Sequence, residues 1–141
     1  MSPDDCKNAV MTAWRAFASR ERARIEACLA PDAEWIAPPG NATAVALQYT
    51  HHMVGRDSIV KFIVDEFPRL FVSNVRVDFG AVLCEGNQVV VQERMRAELA
   101  NGRHYVNDYC FIFDLDASGR IRRVREYMDT RAGHEMIFSA R

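Results

Sequence analysis

A chain of 141 residues, 49% apolar and 26% charged, is long enough to close one hydrophobic core without metals or disulfides. A net charge of −1 with only two lysines speaks against the basic face that nucleic-acid domains need, and no apolar run reaches bilayer length. Four widely spaced cysteines match neither zinc nor redox spacing, and the N-terminus lacks the pattern of an export signal. One cytoplasmic domain spanning residues 1–141, with free thiols, no metal and no cofactor, is therefore expected.

Ser2-Pro3-Asp4-Asp5 has the form of a helix start, and Cys6, Val10, Ala13, Trp14 and Phe17 recur at helical spacing to about Ser19. A second helix is predicted from Arg20 to Ala30, with Pro31 as its stop. Glu34 to Ala37 reads as extended, and Pro38-Pro39-Gly40 as a turn. From Asn41 to Met53 the pattern is weak. Ala44 to His52 fits either a short strand pairing back on Glu34–Ala37 or an irregular loop over a cavity.

Gly55-Arg56-Asp57 opens a third helix to about Glu66, with Ile59, Phe62, Ile63 and Phe67 on one face and Pro68 ending or kinking it. Period two then takes over: Val75, Val77, Phe79, Ala81 and Leu83 fall on one side of a strand, and Asn74, Arg76 and Asp78 on the other. Glu85-Gly86-Asn87 turns into an antiparallel meander of Gln88–Leu99, His104–Asp116 and Arg120–Asp129. Asn101-Gly102 is a strong hairpin signal, because both residues tolerate positive φ. Helices followed by an antiparallel sheet make an α+β domain, and Trp14, Phe17, Phe62 and Phe67 would line a pocket beneath a curved sheet. The arginines at 120, 122, 123 and 125 alternate between faces among acids and read as a solvated strand end.

This order of elements, together with Asn101-Gly102-Arg103, Asn107 to Phe113, Gly119-Arg120-Ile121, Arg125-Glu126-Tyr127-Met128-Asp129 and Gly55-Arg56-Asp57, resembles the SnoaL-like branch of the nuclear transport factor 2-like superfamily. The resemblance implies a cone of strongly curved antiparallel sheet, with three N-terminal helices on its concave face and a blind apolar pocket. It also implies a homodimer formed through the outer sheet face, where Tyr127 would serve as an interface aromatic. The activities it brings range from polyketide cyclisation, isomerisation and dehydration to ligand binding without turnover. Fold alone does not choose among them.

Period-two counting puts Asn107, Tyr109, Phe111 and Phe113 on the inner face, and Val106, Asp108, Cys110 and Ile112 outside. The family alignment implies that Arg94, Arg96 and Glu98, and likewise Val124, Glu126 and Met128, also point inward. Arg94 and Glu126 fall where epoxide hydrolases of the superfamily carry their arginine and one acid. Their second acid falls on Arg96 and their water-holding residues on Trp35 and Ala37, so that chemistry is not expected. The ketosteroid isomerase positions fall on Ala37, Trp14 and Phe111, which is equally unpromising.

Glu126 and Arg94 are thus the catalytic candidates, Glu126 having its pKa raised by desolvation unless an arginine bridges it. Trp14, Trp35, Tyr49, Phe62 and Met128 are candidate contacts for a small apolar ligand, Asn107 and Tyr109 would orient an oxygen atom, and His52 would sit near the mouth. His51 is read with His52, whereas His104 and His134 should be solvated. No nucleic-acid or membrane partner is expected.

Overall fold

The computed structural model describes residues 1–139. Its first helix, α1 (Pro3–Ser19), is started by a reciprocal capping box. The Ser2 hydroxyl accepts from the Asp5 amide and the Asp5 carboxylate from the Ser2 amide, both at 3.0 Å. Its stripe of Cys6, Val10, Ala13, Ala16 and Phe17 is buried, and the helix packs on β3 and β4 of the sheet described below.

Helix α2 (Arg22–Cys28) stops two residues short of expectation, and Pro31 does not end it. Leu29 already begins β1 (Leu29–Ile36), and Pro31 lies in a bulge of that strand between the pairings Leu29↔Ile121 and Glu34↔Arg123. An absent amide hydrogen is tolerated where the ladder is interrupted. Residues Ala42–Leu47 form a short helix, α3, where a strand or loop was expected. The Asn41 side chain accepts from the Ala44 amide at 3.0 Å, so a local cap overrides the β-branched Thr43 and Val45. The return strand β2 (His52–Val54) does pair with residues 34–36, but it begins only at His52.

Pro68 does not end the next helix, which continues past it to Leu70. After α4 (Arg56–Lys61), Phe62–Glu66 widen into a π turn before α5 (Phe67–Leu70). Proline gives no amide hydrogen to the carbonyl four residues back and its ring crowds that carbonyl, so the turn ahead of it opens. Strands β3 (Phe71–Glu85), β4 (Gln88–Leu99), β5 (His104–Leu115) and β6 (Ile121–Met128) follow, and the six strands form one curved, open sheet in the order β2-β1-β6-β5-β4-β3. A last helix, α6 (Thr130–Phe138), was not anticipated; the Asp129 side chain caps it by accepting from the Ala132 amide.

Two parities needed correction. On β3 the pairing shifts between Phe79↔Glu93 and Val82↔Val91, a bulge at Gly80 and Ala81. Val75 and Val77 face the core, but beyond the bulge Val82 and Cys84 pack inward and Leu83 is exposed. On β4 the buried set is Val89, Val91, Glu93, Met95, Ala97 and Leu99. Arg94, Arg96 and Glu98 therefore lie on the outer face, contrary to the alignment-based expectation.

Candidate functional site

The concave side of the sheet, α1 and the α4–α5 segment enclose a cavity of about 360 Å³. Its walls are aromatic. Trp14 meets Phe17, Phe79 and Phe111 edge to face, with ring centres 5.0–6.0 Å apart, and Phe17 and Phe111 also contact Trp35. Phe62 and Phe67 close the helical side. Arg15, Ala18 and Phe79 line the cavity and are exposed, so it opens between α1 and β3.

Two carboxyl groups enter this apolar space. On β5, Tyr109 lies opposite Glu93 of β4 and Phe111 opposite Glu126 of β6, so the glutamates flank the central strand and reach the cavity from either side. Glu93 is 4% exposed. Glu126 keeps some accessible area on the cavity side, while protein encloses its carboxyl group. Neither has a cationic partner among the described residues. Burial pushes Glu93 up to about 8, the charge of Glu126 adding to the effect. Burial likewise pushes Glu126 up to about 7, opposed by a 2.8 Å hydrogen bond that Trp35 Nε1 donates to it.

Two cavity-lining residues carry a buried polar atom, Glu93 Oε2 and Trp14 Nε1, with no hydrogen-bond partner among the described residues. An unpaired acid oxygen and an unpaired donor on residues around one cavity are groups in want of a partner. Tyr109 also lines it, stacks on Phe111, and makes a 2.7 Å hydroxyl–hydroxyl hydrogen bond with Tyr105. Burial holds its phenol well above the ordinary range, so it stays protonated.

Of the residues singled out from the sequence, Glu126, Trp14, Trp35, Phe62 and Tyr109 line the cavity. Asn107 is buried on the inner face behind Tyr109 and bonds to Tyr105 instead of reaching the cavity. Met128 pairs with Tyr109 and packs against the core, outside the cavity lining. Tyr49 spends its hydroxyl on the Ser58 carbonyl at 2.7 Å, and exposed His52 bonds Glu34 at 2.8 Å on the sheet edge. Neither lines the cavity.

Arg94 is corrected outright. Its side chain is 51% exposed and forms a two-pronged bond to Asp108 across the outer face, at 2.7 and 3.2 Å. Of the two alternatives for Glu126, a raised pKa or an arginine bridge, the bridge from Arg94 does not form. The overlooked residue is Glu93, and its signal lay in β4 itself. Val89, Val91, Met95, Ala97 and Leu99 alternate cleanly and place Glu93 inside, whereas the alignment argument favoured its neighbour.

Elsewhere, Arg123 faces Glu34 and Asp114 at 3.7 and 3.9 Å and Arg125 faces Asp114 at 3.4 Å, so acids balance two of the clustered arginines. Among the described residues no helix is long and apolar enough to cross a membrane, no three or more His, Cys, Asp or Glu gather as a metal site, and all four cysteines are free.

The fold recurs in solved structures. An NTF2-like protein of unknown function from Burkholderia pseudomallei superposes with a TM-score of 0.82 at 23% identity, covering 97% of this chain and 98% of that one. TerC, co-crystallised with polyporic acid, gives 0.79 at 21% identity, covering 94% and 98%. An LEH-like epoxide hydrolase of M. tuberculosis gives 0.74 at 15% identity, covering 96% and 90%. At these identities the likeness speaks for the fold. No curated protein matches the chain. The family model of the SnoaL-like domain matches residues 10–124, most of the sheet and the helices beneath it, and the chain belongs to that family.

Proposed function

We propose that the cavity takes a small, largely apolar carbonyl compound and moves a proton on it, with Glu126 as the base and Glu93 as the acid. The observation that carries this reading is the meeting of two carboxyl groups, unpaired with any cation among the described residues, in one aromatic cavity. A base whose pKa is about 7 is part ionised at neutral pH and still strong enough to take a proton from carbon. An acid held at about 8 stays protonated and can donate to the carbonyl oxygen as charge develops there.

In such a step Glu126 removes the proton α to the carbonyl, Glu93 protonates or hydrogen-bonds the oxygen, and an enol results. Return of the proton to the same or a conjugated carbon gives exchange or isomerisation; if Glu126 instead hands its proton to a β-hydroxyl, water departs as the C–O bond breaks, the enol proton returns to Glu93, and dehydration results. TerC, similar in fold, was crystallised with polyporic acid, which accords with a cavity for an oxygenated aromatic ligand. The exposed outer-face residues Leu83, Val106 and Tyr127 are the natural place for a second copy of the chain, an association that sedimentation of Tyr127→Arg against the parent would test.

Proton exchange tests the chemistry without knowledge of the natural substrate. In heavy water the parent should accelerate deuterium uptake at the α-carbons of 2-tetralone. Glu126→Gln should lose about 100-fold or more of that acceleration. Equal exchange by parent and Glu126→Gln would remove Glu126 from the mechanism.

A further inference from the structure

We infer that a one-way chain of hydrogen bonds behind the cavity makes Tyr109 a hydrogen-bond donor to the ligand's oxygen, with Asn107 as the residue that sets the direction. The inference rests on the cavity being a ligand site, but not on proton transfer by Glu126.

The chain starts at Asn107, whose amide has a fixed orientation. Its Oδ1 accepts from the Asp108 backbone amide at 2.9 Å, and its Nδ2 donates to the Asp129 backbone carbonyl at 3.0 Å. A backbone amide can only donate and a carbonyl can only accept, so exchanging the two amide atoms would break both bonds. The same Nδ2 donates to the Tyr105 hydroxyl at 3.0 Å. Tyr105 therefore accepts a hydrogen bond from Asn107, and its own hydrogen needs an acceptor elsewhere.

Tyr105 is 1% exposed, and its only other hydroxyl partner among the described residues is Tyr109 Oη at 2.7 Å. If Tyr105 donates to Tyr109, the one hydroxyl hydrogen left over is that of Tyr109, a residue that lines the cavity, where a ligand can accept it. If Tyr109 donated instead, the Tyr105 hydrogen would be left without an acceptor in the interior, the costlier arrangement. Tyr109 then accepts from Tyr105, and its own proton turns to the cavity it lines. Helix α6 packs against the back of the chain: a Cβ at Gly133 would stand 3.3 Å from Asn107 Nδ2 and 3.5 Å from Tyr105 Oη, so glycine lets the helix approach closely. Tyr109 would touch the ligand directly; Asn107 acts through two other groups and is a positioning residue.

Infrared difference spectra, parent minus Tyr109→Phe, isolate the ring C–O stretch of Tyr109, which separates a hydroxyl that only accepts from one that donates. In the ligand-free protein an accepting-type band is expected, and addition of 2-tetralone should shift it toward the donating type. Asn107→Asp, whose ionised side chain can only accept, should reverse the chain and give a donating-type band before any ligand is added. Tyr109→Phe should weaken 2-tetralone binding about 10-fold. Tetralin, which lacks the carbonyl, should bind both proteins alike. A donating-type band in the ligand-free parent would overturn the inference, as would undiminished tetralone binding by Tyr109→Phe. If instead the tyrosine results hold and Glu126→Gln still exchanges tetralone protons normally, the donor stands and the proposed base falls.

Discussion

Glu93 and Arg94 are adjacent in sequence and face opposite sides of one strand. Arg94, in water, meets Asp108 of the neighbouring strand; this pairing holds the Asp108 carboxyl below its ordinary range and raises Arg94. Glu93, among aromatic rings, meets a second acid, and its carboxyl is pushed the other way. Strand parity, more than residue type, decides whether a charge on this sheet is a screened surface pair or a group with altered chemistry.

Truncation on the two faces should separate them most widely. Phe113 is fully buried and packs edge to face with Trp14 at 6.0 Å. Phe113→Ala should lose about 3–5 kcal/mol of unfolding free energy in urea titration, because a cavity remains that the rigid surroundings cannot fill. Val54→Ala, at an exposed position of β2, should stay within about 0.5 kcal/mol of the parent. Similar losses for the two variants would mean that the faces are not distinct.

The pH dependence of stability should differ in sign between the faces. Glu93 and Glu126 have folded-state pKa values above the ordinary 4.5, so between about pH 4.5 and 8 the native chain holds protons that the unfolded chain has released. Their contribution is complete below the ordinary value and is lost as pH rises through 7 and 8. Glu93→Gln should therefore flatten the alkaline decline and exceed the parent at pH 8.5 by on the order of a few kcal/mol, the gap shrinking toward pH 5. A parent whose stability is flat from pH 5 to 8.5 would argue against a buried acid pair. The contribution of Asp108 runs in the opposite direction: its pKa is depressed, so it is present above the ordinary carboxylate range and lost as pH falls below it.

Smallest of all should be the effect of Arg94→Gln. With both partners solvated, the change in stability should be marginal at low salt and vanish near 0.5 M salt. Tetralone exchange should be unaffected by Arg94→Gln, since the guanidinium lies across the sheet from the cavity. A large loss of exchange would restore Arg94 to the site.

The frame of this molecule was legible because its signals are local and redundant. The Ser2 cap, the Asn101-Gly102 turn and the alternation of β5 each determine structure within a few residues. What escaped depended on context. The helix over Ala42–Leu47 rests on a single cap at Asn41, α6 follows a cap at Asp129 in a short terminal segment, and the bulge at Gly80 reverses parity without changing composition. The candidate site was half legible. The inward placing of Glu126 came from the family resemblance and the aromatic walls from helical spacing and the alternation of β5, whereas Glu93 was missed because a positional resemblance outweighed the alternation of its own strand. The hydrogen-bond chain through Asn107, Tyr105 and Tyr109 depends on distances that no spacing rule supplies.

The acid pair can be measured directly. A 13C NMR titration of glutamate-labelled protein, with the two carboxyl signals assigned through Glu93→Gln and Glu126→Gln, should show midpoints near 8 and 7, and removing Glu126 should lower that of Glu93. If both carboxyl groups instead titrate with the surface glutamates near 4.5, the cavity holds two ordinary carboxylates and the proposed division into acid and base is wrong.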